Sequence, residues 1–119
     1  MSDRLTITVE GKDYELVAYA GVIQLAARAI GGVEGMVALA TDADIQRKFV
    51  EVFCSNYNEK GENTGLKFNV FTLDTEIFSE ILSWGMENVS DFFMRAAEKM
   101  RKIEKTVKER QEKLLSHAS

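Results

Sequence analysis

Residues 81–100 read ILSWGMENVSDFFMRAAEKM, with one Trp, two Phe and three Met in twenty positions. Proline, which would break a helix by removing a backbone N–H, occurs nowhere in the chain. At about 100° per residue, Phe78, Ile81, Leu82, Gly85, Val89, Phe92, Phe93, Ala96 and Met100 fall on one stripe, and Ile103, Val107 and Leu114 continue it. The spacing predicts a helix from Asp74 to about Leu115. Asp74 is its cap, and Leu73 packs on Phe78 as a hydrophobic staple. So long a helix is expected to bend near Gly85 or Asn88. Gly85 lies inside the stripe, where a missing side chain admits a second helix. Trp84 falls off the stripe beside Ile77, within reach of the earlier elements. Met94 points nearly opposite and has no evident cover, and flexible methionines suit adaptable binding surfaces.

Written as heptads, Phe93, Met100, Val107 and Leu114 share one position, while Val89, Ala96, Ile103 and Arg110 share the other. The stripe reads as core up to about Ala97 and as an interaction surface beyond it. Charge changes at the same place. From Glu98 to Lys113 there are seven Lys/Arg and four Glu, a net of +3, against eight basic and fifteen acidic residues elsewhere, a net of −7. The expected organisation is therefore a globular domain over 1–97 with a basic amphipathic helix extension over 98–119. Glu98–Lys102, Glu104–Lys108 and Glu109–Lys113 are spaced to support that helix by i,i+4 pairing. The candidate partner-binding residues are Phe92, Phe93, Met94, Met100, Ile103, Val107 and Leu114. Phe92 and Phe93 are the two most open to being plain core.

Working back toward the N-terminus, LTITVEGKDYELVA (5–18) alternates apolar and polar residues on both sides of a glycine. The pattern predicts a β-hairpin with a type II′ turn at Gly11–Lys12. That register sets Val9 against Tyr14, Ile7 against Leu16 and Leu5 against Ala18, with Thr8 and Glu15 on the other face. A lone hairpin is marginal in water and must be covered. AGVIQLAARAI (20–30) supplies a cover, with Val22, Ile23, Ala26, Ala29 and Ile30 at helical spacing and Gly31–Gly32 to end it. VEGMVALA (33–40) is a short helix weakened by Gly35. A helix over about 42–58 follows, capped by Thr41, with Asp42 and Asp44 in its first turn and a stripe of Ile45, Phe49, Val52, Phe53 and Tyr57. NEKGENTG (58–65) is a polar loop. It lacks the Gly-Lys-Ser/Thr ending of a phosphate-binding loop. LKFNVF (66–71) alternates briefly and is a candidate third strand for the hairpin. The fold class expected is α+β, mainly helical: an N-terminal hairpin on three to four helices, ending in a long helix.

Several chemistries are excluded at this level. The 119 residues hold one cysteine, Cys54, and one histidine, His117. No intramolecular disulfide or multi-cysteine zinc site is available, and a Cys–His pair would have to join a helix face to a chain end. Cys54 is expected to be half-buried and His117 solvated. No catalytic, cofactor or metal-ligand spacing appears, so an enzyme is not expected. No apolar run approaches the roughly 20 residues that span a bilayer, and the start MSDRLTITVEG has no secretory pattern. A cytoplasmic protein is expected. The overall charge of −4 argues against nucleic acid as a partner, as does the lack of aromatics interleaved in the basic tail.

Two segments carry a resemblance. LTITVEGKDYELVAYAGVIQLAA (5–27) and EILSWGMENVSDFFMRAAEKMRK (80–102) are similar to parts of the small tail assembly chaperones of long-tailed bacteriophages and prophages. The first is a strand, a Gly-Lys turn, a second strand and an apolar helix start. The second is a Trp-bearing helix running through Phe-Phe to a basic end. The resemblance implies a protein that binds the tape measure protein, a long, helical, aggregation-prone chain. It implies that the tape measure is kept soluble while tail tube subunits polymerise around it. Such a chaperone works in the cytoplasm of the bacterial host and is not retained in the mature virion. The tail tube protein is a further partner, and self-association and a longer frameshifted form occur among such chaperones. Two other readings stay open from the residues: a homo-oligomeric adaptor using the C-terminal helix, and a small nucleic-acid-binding regulator.

Overall fold

The computed structural model describes residues 2–32 and 34–118, and the side chains of 117 and 118 lie outside that description. The fold is α+β and mainly helical, with two small antiparallel hairpins and a long final helix.

Strands β1 (Arg4–Val9) and β2 (Lys12–Val17) form the expected hairpin, with Leu5 opposite Leu16, Ile7 opposite Tyr14 and Val9 opposite Lys12. The turn is Glu10–Gly11, one residue earlier than the sequence suggested. Both central residues have positive φ, 49° and 79°, the signature of a type I′ turn. A glycine serves the second position of that turn as well as the first position of a type II′ turn, so the pattern does not separate them. The register on β2 moves by two residues, which leaves every side chain on its face. Ile7 and Leu16 are buried and Leu5, Val9 and Tyr14 pack against the core. On the polar face Thr8 Oγ1 donates to Asp13 Oδ1 at 2.6 Å, and Arg4 pairs with Glu15.

Helix α1 (Ala20–Ala29) buries Ile23, Ala26 and Ala27. It ends as the two glycines dictate: Gly32 N–H donates to the Ala27 carbonyl at 2.8 Å and Gly31 N–H to that of Arg28 at 3.1 Å, a Schellman motif. Helix α2 (Gly35–Leu39) begins against that end. A Cβ at position 35 would sit 1.5 Å from the Ile30 carbonyl oxygen, so the glycine that weakens α2 as a helix is what lets the two backbones meet. Val33, part of the expected 33–40 segment, lies outside the described residues.

Helix α3 (Ala43–Phe53) is capped by Asp42, not Thr41. Asp42 Oδ1 accepts from the backbone N–H of Asp44 at 2.9 Å and Ile45 at 3.2 Å, while Thr41 Oγ1 donates back to the Ala38 carbonyl. The helix stops at Phe53, well short of 58. Side chains past its end answer its last carbonyls: Ser55 Oγ donates to the Glu51 oxygen at 2.6 Å and Tyr57 Oη to that of Val52 at 2.7 Å. Tyr57 thus belongs to a strand. Strand β3 (Ser55–Tyr57) pairs with β4 (Asn63–Leu66), so part of the expected polar loop is sheet. Residues 66–71 do not extend the first hairpin, and the two sheets are separate. Their alternation serves packing instead: the Phe68 ring meets Tyr14 edge-on at 4.8 Å and Val70 is buried.

Helix α4 (Thr75–Ala118) runs 44 residues without interruption at Gly85 or Asn88. Asp74 Oδ1 accepts from Glu76 N–H at 2.8 Å as its cap, and Leu73 and Phe78 both pack against the core. A Cβ at Gly85 would lie 2.7 Å from the Phe53 ring and 2.9 Å from that of Phe49, so α3 crosses α4 at this residue. Trp84, placed off the stripe by the sequence, is buried core. Its ring meets Phe53 edge-on at 5.1 Å. The helix is clasped on two sides, by α3 and α1 and by β1. Its buried arc is therefore wider than one stripe. No helix among the described residues is long and apolar enough to cross a membrane.

Candidate partner-binding surface

Burial along α4 stops abruptly. Val89 is fully buried, Phe92 and Phe93 are half-buried, and every described residue from Met94 to Ser116 is exposed. The last helical turns therefore leave the body. A helix of this length measures roughly 66 Å at 1.5 Å per residue, and the molecule is 72 Å in its longest direction but 33 Å and 24 Å in the others. Ala96 and Ala97 already lie on the free part, past Phe93, the last residue of α4 packed on the core.

The seven candidate residues separate into three groups. Phe92 and Phe93 pack against the core and against each other, rings 5.8 Å apart and edge-on. Met94 is 66% exposed and, with Met36 and Phe93, lines a shallow groove of about 710 Å³ between α2 and α4. Met86 and Ser90 extend that groove along α4 past Met36 and Met94. Met100, Ile103, Val107 and Leu114 touch nothing in the core and are 47–69% exposed. The structure thus joins Met94 to Met36 rather than to the heptad stripe. Nothing local in 33–40 signals this: Met36 reaches α4 only because the end of α1 delivers α2 there. Val37, the next residue, is 78% exposed and lines no part of the groove.

The free helix is stabilised from two directions. Its packed N-terminal half supplies the nucleus that an isolated helix must otherwise form at a cost. Of the expected i,i+4 pairs, Glu98 and Lys102 lie 3.9 Å apart, and Asp91 and Arg95 add a tighter pair at 2.9 Å where the helix leaves the body. Exposed pairs of this kind contribute a few tenths of a kcal/mol each. They hold a helix, but they do not hide its apolar residues.

Elsewhere the molecule offers little chemistry. A cleft of about 700 Å³ lies between β2, the start of α1 and β3, over Val22, Leu25 and Phe53, with Glu15, Glu59 and Lys67 at its rim. Its ionisable groups are engaged at two points: Glu15 with Arg4, and Lys67 Nζ donating to Asn56 Oδ1. Cys54, expected to be half-buried, is fully buried as the C-cap of α3. Burial pushes its thiol up to about 12, with smaller opposing effects of Lys67 and Glu51. A thiol so placed stays protonated and inert at neutral pH. Burial also raises the Tyr57 hydroxyl. The His117 side chain lies outside the described residues. Among the described residues no three His, Cys, Asp or Glu side chains cluster closely enough to hold a metal ion.

No protein family, curated protein or solved structure matches the chain.

Proposed function

We propose that the protein is a non-enzymatic tail assembly chaperone of a long-tailed phage or prophage, acting in the cytoplasm of the bacterial host. It binds the tape measure protein, keeps it soluble during tail morphogenesis and is left out of the virion. The observation that carries this reading is the free half of α4. It keeps a heptad apolar stripe, Met100, Ile103, Val107 and Leu114, over a length on which every described residue is exposed. A long helical client offers the matching element, an amphipathic helix that lays its apolar face along another. The stripe needs no active site and no cofactor to do this.

Magnitudes favour reversible holding. Fully burying a large aliphatic side chain is worth about 1.5–3 kcal/mol, and these four are already about half covered by their own helix. Together they supply roughly 3–6 kcal/mol on the same scale. Association costs about 4–15 kcal/mol in lost freedom, so the stripe alone binds weakly. The Met36–Met94 groove is contiguous with the stripe through Phe93 and adds apolar area. A chaperone displaced by polymerising tube subunits needs an affinity of this middling kind.

Co-expression with the long helical tape measure protein tests the reading. The full chain is expected to raise the client's soluble fraction and to co-purify with it. An unchanged soluble fraction contradicts it. The heptad repeat favours a second reading, a homo-oligomeric adaptor that pairs through α4. Sedimentation of the purified chain tests the adaptor, which is a stable oligomer without a client: a monomer rules it out, whereas an oligomer is compatible with both readings and leaves co-expression to decide.

A further inference from the structure

Between Ala96 and Leu114 the free stripe of α4 is apolar except at one place. Arg110 occupies the heptad position of Ala96 and Ile103, between Val107 and Leu114. Its side chain is exposed and makes no hydrogen bond or ion pair among the described residues. Its own helix cannot neutralise it: positions 106, 107, 113 and 114, one turn away on either side, are Thr, Val, Lys and Leu. Lys99 and Lys113 border the stripe on one side, and the segment 98–113 carries a net +3. Docking an apolar helix over this stripe would therefore bury a guanidinium, which is costly unless it meets a carboxylate.

That requirement bears on the occupant. A parallel pair of two copies sets Arg110 against Arg110 of the second copy, because like heptad positions face each other. An antiparallel pair sets it against the other position, where Phe93, Met100, Val107 and Leu114 are all apolar. Either arrangement also brings together two helices of the same net charge. We propose that the stripe is built for a helix of a different chain: amphipathic, acidic along its flanks, and carrying a carboxylate within its own apolar stripe that pairs with Arg110. A guanidinium suits this role because it forms a bidentate pair of fixed geometry with a carboxylate. Arg110 is then the residue that selects which helical segment of a client is held. This rests on the reading of α4 as a client-binding helix.

The test uses the full chain and two synthetic four-heptad peptides with glutamate flanks and leucine in the apolar positions, which differ at one central apolar position, Glu in one and Lys in the other. Wild-type protein is expected to bind the Glu peptide at least about tenfold more tightly than the Lys peptide. Arg110→Glu is expected to reverse that order with an unchanged unfolding midpoint, since Arg110 is exposed and unbonded. If Arg110→Glu keeps the wild-type preference, Arg110 does not select and the proposal fails, while α4 remains a helix-binding element. If neither peptide binds, the proposal fails outright, and client co-expression alone decides the function it rests on. If the wild-type chain sediments as a dimer that Val107→Glu dissociates, the occupant is a second copy and the proposal is overturned.

Discussion

Trp84 donates its indole N–H to the backbone carbonyl oxygen of Ser2 across 2.9 Å, joining positions 82 residues apart. Asn88, one turn later, donates Nδ2–H to the same oxygen at 3.1 Å and to the Trp84 carbonyl at 3.0 Å. The entry to β1 is thereby fastened to the packed half of α4, at a Trp whose ring also meets Phe53 of α3. Replacing Trp84 with Phe keeps a ring against Phe53 but removes the donor, and Asn88 still serves the Ser2 oxygen. The expected cost is about 0.5–1.5 kcal/mol, against about 3–5 kcal/mol for Trp84→Ala. Urea unfolding of the two variants measures both. Equal losses would mean that the hydrogen bond, and not the ring, fastens β1.

Gly85 is expected to tolerate no side chain. Alanine gains roughly 1 kcal/mol in helix propensity over glycine, but its Cβ would lie under 3 Å from two aromatic rings. Those rings are locked edge-on, Phe49 to Phe53 at 5.3 Å and Phe53 to Trp84 at 5.1 Å, so they yield only by moving α3. Overpacking of this kind costs about 1–3 kcal/mol. Gly85→Ala should lower the melting temperature, and a raised one would show that α3 and α4 sit farther apart.

The buried thiol gives a pH signature. The folded value of Cys54 is about 12, above its ordinary 9.0, so the folded chain holds a proton that the unfolded chain releases. The stabilisation is fully present below pH 9 and is lost as pH rises from there toward 12. At pH 10 the loss is about 1.4 kcal/mol. Lysines also titrate in this range, so the measurement is the difference between wild type and Cys54→Ala. That difference should shrink from pH 8 to pH 10 by about this amount. The native thiol should also resist alkylation at pH 8 and react at once in denaturant.

The exposed stripe and the half-buried phenylalanines should part company on mutation. Met100→Ser, Ile103→Ser and Val107→Ser remove no core contact and should change stability by less than about 0.5 kcal/mol each. Phe92→Ala and Phe93→Ala remove rings packed on the core. A loss of roughly 1.5–2.5 kcal/mol is expected, about half that of a fully buried Phe. Client binding should fall in the first group with the melting temperature intact. A large stability loss there would mean that the stripe already packs within the chain.

Local pattern made most of the elements legible, and tertiary contact decided the rest. The hairpin face, the Gly31–Gly32 stop and the Asp74 cap each depend on a few neighbouring residues, and each was readable. The end of α3 was not, because Tyr57 sits at helical spacing from Phe53 and only its hydrogen bond to the Val52 carbonyl shows that the chain has turned back. The sequence places Trp84 off the stripe but within reach of the earlier elements, and it is buried against them because the packed half of α4 buries a wider arc than one stripe. On the candidate surface, the heptad run was visible but the groove was not. Met36 becomes Met94's neighbour through a contact between Gly35 and Ile30, which no periodicity announces.

In the proposed complex the client lies along α4 beyond Phe93. Hydrogen exchange of the backbone amides over 94–116, with and without a soluble tape measure fragment, tests it most directly. In the free protein these amides belong to a fully exposed helix that frays from its end, and they should exchange far faster than those of 76–92. In the complex they should become protected, most strongly around Met100, Ile103 and Val107, with the hairpins unchanged. Protection confined to the body, or no change over 94–116 in a complex that forms, would contradict the account.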